Sequence, residues 1–167
     1  DFLTFGLAWD VTGGRNIDLD ASAICFNAEV TITDCVFFGK MRSSCGGIQH
    51  CGDEREGDEK GDDEKINITL SRVDPKVKYV AFCINSYSGQ ELDDVSRTVG
   101  HIYTRAGRDL ASYKLMGDRS LDKKTALTMA ILYRSDENAQ DWCLRICSLP
   151  GKGQRAHDNV ADIHHYL

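Results

Sequence analysis

The sequence predicts a mainly β protein, an antiparallel β-sandwich with a few short helices, and three observations carry that reading. Short runs rich in Val, Ile, Phe and Tyr recur along the chain, separated by polar or glycine-containing breaks. One run, Ile66 to Leu70, alternates apolar residues with Asn67 and Thr69, the period-two pattern of a half-buried strand. Helical pattern is confined to short pieces, and many short strands at fairly regular spacing suit a sandwich.

In chain order, Phe2 to Trp9 reads as a strand, followed by the loop DVTGGRNIDLD. Ala21 to Phe26 and Cys35 to Phe38 are the next strands, and SSCGG at 43–47 is a turn. After the alternating Ile66 run, Val77 to Ile84 is rich in Val, Tyr, Phe and Ile and reads as a central strand. His101 to Arg105 and Leu110 to Leu115 flank AGRD as a hairpin. ALTMAILYR and WCLRICSL, joined by SDENAQD, form a second one. Short helical pieces are expected over Glu91 to Ser96 and in part of the stretch after Gly153.

A chain of 167 residues suits one domain spanning 1–167, with 153–167 as a C-terminal tail. A charged fraction of 28% against 41% hydrophobic, with only 2 prolines, excludes collagen-like, Pro-rich and wholly disordered classes. No apolar run approaches the ~20 residues that cross a bilayer, and no signal-peptide pattern opens the chain. The missing initiator Met fits a processed chain or a domain excised from something longer. Seven cysteines cannot all pair with one another, and several sit in apolar runs, which favours reduced thiols and a cytoplasmic setting.

The net charge of −6 excludes a general nucleic-acid-binding surface, and its location says more than its size. From Asp53 to Glu64 the chain reads DEREGDEKGDDE, 8 acids against 2 bases, leaving 18 of each sign elsewhere. All the excess charge therefore sits in one segment. Like charges so crowded resist joint ionisation, and a divalent cation relieves them. Ca²⁺ takes 6–8 oxygen ligands from flexible loops. Asp53, Asp58, Asp62, Asp63 and Glu64 offer carboxylates, and Gly57 and Gly61 allow sharp turns. The segment is not an EF-hand, since Arg55, Gly57 and Asp58 break that pattern and its flanks are strand-like. Asp18 and Asp20 form a second acidic cluster, and residues two apart on an extended chain point the same way, so both can converge on a shared ion.

Rival chemistries find less support. His50, His101, His157, His164 and His165 are scattered, with no nucleophile or phosphate-loop signature beside them. Each reads as an exposed or structural histidine. The cysteine spacings lack the tight pairs of a zinc site.

Taken together, GLAWD at 6–10, DLDASA at 18–23, GDEREGDEKGDDE at 52–64, INITLSRV at 66–73 and TALTMAILYR at 125–134 resemble the TerD family of tellurium-resistance and calcium-binding stress proteins. The resemblance implies a β-sandwich holding one or two calcium ions between the DLDAS loop and the acidic loop. Carried over by position, the metal ligands are Asp18, Asp20, Asp53, Asp58, Asp62, Asp63 and Glu64, with Asp10 a weaker candidate. Glu54, Arg55 and Glu56 stand where the family has Asn, a hydrophobic residue and Thr, and GQELDDV at 89–95 replaces a stretch resembling GQNFGQV. A further N-terminal strand is normal in the family and absent from this sequence. The expected function is non-enzymatic calcium binding in stress response. The alternatives are a calcium-dependent adaptor module of a larger protein and a metal-dependent hydrolase. Expected partners are calcium ions and, for the adaptor, a protein; neither nucleic acid nor membrane is expected.

Overall fold

The structure, a computed structural model, describes residues 1–10, 17–52 and 62–167. Among these residues ten strands form two five-stranded antiparallel sheets. The first sheet has the order β4(Ile48–His50), β5(Glu64–Thr69), β1(Phe2–Ala8), β7(Val99–Thr104), β8(Asp109–Lys114). The second runs β10(Trp142–Gly151), β9(Ala126–Arg134), β6(Tyr79–Ser86), β2(Leu19–Phe26), β3(Ile32–Val36). The β7–β8 and β9–β10 hairpins are those the sequence predicts. The three-residue β4 escapes sequence reading because so short a run shows no periodicity.

Between the sheets lies one apolar layer. Leu3, Phe5 and Leu7 of β1 and Ile66 and Ile68 of β5 face Ala21 and Ala23 of β2 and Val80, Phe82 and Ile84 of β6. The Phe5 and Phe82 rings meet across it with centroids 5.2 Å apart. Gly100 of β7 is needed here, because a Cβ at that position would lie 2.8 Å from the Met129 sulfur. Alternation on β5 is strict: Glu64, Ile66 and Ile68 are buried, while Lys65, Asn67 and Thr69 are less so.

The outer face of the second sheet is also covered. Residues 156–159 form a 3-10 turn leading into α1(Val160–Tyr166), and Ala156 and Ile163 pack on Ile24, Phe26, Ala81, Cys83 and Ile131. Burial on both faces explains why β2 and β6 read as continuous apolar runs rather than alternating ones. A reciprocal amide pair anchors this layer: Asn159 Nδ2 donates to Asn85 Oδ1 at 2.7 Å and Asn85 Nδ2 to Asn159 Oδ1 at 3.1 Å. Cys25, Cys35, Cys45, Cys83, Cys143 and Cys147 are free thiols. No helix among the described residues is long and apolar enough to cross a membrane.

Antiparallel pairing brings the end of β4 beside β5 on the first sheet, and contacts join β5 to β2 on the second. The candidate site is built where these three strands meet.

Candidate metal centre

Glu64 is the outermost inward-facing residue of β5 and is 5% exposed. Its carboxylate crosses to the opposite sheet, where Oε2 accepts the Ala21 N–H at 2.5 Å. That N–H is available because β3 covers β2 only from Ala23 to Phe26, and a buried N–H needs some acceptor. Asp20 lies beside it on β2, and Asp18 just before the strand is held by backbone bonds. The Asp18 N–H donates to Ser88 Oγ at 2.9 Å, and the Tyr87 N–H donates to the Asp18 carbonyl at 2.9 Å.

One carboxylate oxygen from each of Asp18, Asp20 and Glu64 lies within 4.8 Å of the others. The three line a cleft of about 350 Å³ with His50, Gly52, Phe38, Met41 and Tyr87. Burial, reinforced by the negative charges of Glu64 and then Asp18, raises the Asp20 carboxyl to about 8. Three carboxylates thus share a pocket in which they cannot all be ionised unaided.

The donor set fits a hard divalent cation. Ca²⁺ binds oxygen at 2.3–2.6 Å, so ligands on opposite sides of one ion stand about 5 Å apart and neighbouring ones closer, and three oxygens all within 4.8 Å of one another fall inside that span. His50 is 2% exposed, and its Nε2, 3.5 Å from Glu64 Oε2, has no hydrogen-bond partner. An orphaned buried nitrogen beside an acidic cluster marks a place shaped for more than packing. The exposed side chains of Phe38, Met41 and Tyr87 form the outer rim, with the Phe38 and Tyr87 rings edge to face at 5.8 Å.

The remaining sequence candidates go elsewhere. Asp62 lies on the outer face of the first sheet, where its Oδ1 is 2.6 Å from His101 Nε2 and its Oδ2 accepts the Tyr103 hydroxyl at 3.1 Å. Gly6 permits this crossing, since a Cβ there would lie 2.2 Å from Asp62 Oδ2. On its other side His101 Nδ1 meets Asp109 Oδ1 at 3.2 Å. Bonding to Asp62, opposed by burial and helped by Asp109, raises the His101 pKa. Asp63 Oδ2 accepts the Trp9 N–H at 2.8 Å, so this carboxylate ties the acidic run to β1. Asp10 pairs with Arg97 at 3.4 Å on the surface. Asp53 and Asp58 lie outside the described residues.

Two features were missed by sequence reasoning. One is the placement of His50 in the cleft wall; the signal was its position two residues after Ile48, on the inward face of β4. The other is a second acidic group, Glu91, Asp93 and Asp122, whose oxygens also lie within 4.8 Å of one another. Glu91 Oε2 there accepts the Lys123 N–H at 2.9 Å.

The chain is similar in sequence and in fold to known proteins. The TerD domain family model matches residues 2–149. The tellurium resistance protein TerZ of Serratia marcescens is 33% identical over 172 residues, covering 96% of this chain and 86% of that protein. Stress response protein SCP2 of Bacillus subtilis is 31% identical over 153 residues, covering 80% of this chain and 76% of that protein. The crystal structure of a homologue of telluride resistance protein from Streptomyces coelicolor superposes with a TM-score of 0.81, covering 98% of this chain and 96% of that one. Its sequence identity of 22% makes it a likeness of fold.

Proposed function

The chain belongs to the TerD domain family, and on that footing we propose that it is a calcium-binding, non-enzymatic stress-response domain acting in the cytoplasm. Calcium is held between the DLDAS loop and the acidic loop 53–64. The observation that carries this reading is the cleft itself, in which Asp18, Asp20 and Glu64 converge and the Asp20 carboxyl is held at about 8. A divalent ion there supplies the positive charge that allows all three to ionise together. Asp18, Asp20 and Glu64 hold one ion, and Asp53 and Asp58 of the acidic loop are the further candidates for completing its shell or holding a second.

A stress-response role is supported by the names of the relatives, which are resistance and stress proteins. A binding rather than catalytic role is supported by the histidine beside the cleft. Both its ring nitrogens face groups of the protein's own, the Gly52 N–H and Glu64, rather than a nucleophile. The adaptor reading is supported by the exposed Phe38, Met41 and Tyr87 at the rim, which offer a protein partner apolar surface next to the ion.

Thermal melting in calcium and in chelator tests the proposal. At a hundredfold excess of calcium over Kd, linkage adds about 2.7 kcal/mol, a rise of about 5–10 °C for a chain of this size. Identical melting in calcium and chelator would overturn it.

A further inference from the structure

We infer that His50 is the positioning residue of this cleft: it aims Glu64 at the ion by donating from Nε2 and does not itself ligate the ion. The inference rests on the calcium reading above. It begins with the backbone. Gly52 adopts φ +71°, a left-handed turn that suits glycine, and its N–H points back to donate to His50 Nδ1 at 2.9 Å. A nitrogen that accepts a hydrogen bond carries no proton, so the proton of the neutral ring is on Nε2.

That nitrogen is buried, has no hydrogen-bond partner, and lies 3.5 Å from Glu64 Oε2. The same oxygen accepts the Ala21 N–H. One carboxylate oxygen of Glu64 is therefore flanked by N–H groups from both sheets, Ala21 on β2 and His50 on β4. Once Nε2 closes on Oε2, two donors on that one oxygen fix the carboxylate plane and leave the other oxygen for the cation. A protonated Nε2 has no lone pair to offer a metal, so the site stays all-oxygen. That is the chemistry hard cations select over borderline ones.

The experiment is calorimetric Ca²⁺ titration of calcium-stripped wild type, His50→Gln and His50→Ala, with a melt of each calcium-free protein. Electron spin-echo spectroscopy of Mn²⁺ bound to the wild type accompanies it. Loss of a residue that orients a metal ligand costs about 10- to 100-fold in affinity, which is the expected deficit of His50→Ala. His50→Gln places an amide N–H near the former Nε2 and is expected to recover most of that deficit. The wild-type Mn²⁺ signal is expected to show no directly bound nitrogen.

Wild-type affinity in both variants would overturn the inference and leave the calcium reading intact. A directly bound nitrogen in the Mn²⁺ spectrum would likewise overturn it, by making His50 a ligand. Failure of the wild type to bind either metal would remove the calcium reading itself and this inference with it. If His50→Ala does not fold, His50→Gln and the wild-type spectrum still decide: full affinity with no bound nitrogen upholds the donor role, and a bound nitrogen overturns it.

Discussion

Glu64 and Asp62 stand two residues apart in one acidic run, yet the fold gives them opposite electrostatic surroundings. Glu64 turns inward and meets two further carboxylates, and the described residues lining that cleft include no lysine or arginine. Asp62 turns outward across Gly6 and meets His101, whose charged form it stabilises. One site carries negative charge that its described neighbours leave unbalanced. The other carries its own counter-charge. The lesson is that an acidic run is not one site: backbone direction decides, residue by residue, which carboxylates are left without a described counter-charge and which already have one.

Removing a carboxylate from each side breaks the comparison most directly. Asp20→Asn is expected to weaken calcium binding on the order of 100-fold, because ligand charge count sets calcium affinity. It is also expected to raise the melting temperature of the calcium-free protein at neutral pH, since the folded state no longer has to hold a proton on a carboxyl that the unfolded chain ionises. Asp62→Asn is expected to do the reverse. Calcium affinity should stay within about threefold, while the lost bond to His101 costs about 1 kcal/mol, or about 2–4 °C in melting temperature. Equal losses of affinity in the two variants, read by calorimetry, would erase the distinction.

The two regions respond to pH through different groups. In the calcium-free protein the folded state holds a proton on Asp20 that the unfolded chain has already released. Stability from that region is thus greatest below pH about 4 and declines as pH rises toward about 8. His101 also has a raised pKa, so its contribution is fully present below the unfolded value of about 6.5 and is lost as pH rises through the folded one. Calcium is expected to abolish the first decline and leave the second. Melting temperatures of wild type and Asp62→Asn across pH 4 to 9, with and without calcium, separate the two. The smallest expected effect is from Asp109→Asn: that carboxylate is more than half exposed, and its loss should move melting by about 1 °C or less.

Much of this was legible in the sequence. The alternation of Ile66 and Ile68 predicts strand β5, and carried back by two it places Glu64 on the inward face. The spacing of Asp18 and Asp20 likewise predicts their convergence. The same period misplaces Asp62, because the chain bends at Asp63 and alternation holds only while the backbone stays extended. The pairing of Asp62 with His101 is long-range, set by β5 and β7 both lying beside β1, and no local pattern announces it. His50 escaped for a related reason: β4 is three residues long, and its inward face is defined only by pairing with β5.

The central claim is that a cation replaces a proton among Asp18, Asp20 and Glu64. Calorimetric titration of the calcium-stripped protein at pH 7, in two buffers of different ionisation enthalpy, measures that exchange. Since the Asp20 carboxyl is held at about 8, binding should release about one proton per ion bound at this cleft. Absence of binding heat in both buffers, or binding with no proton released, would contradict the account.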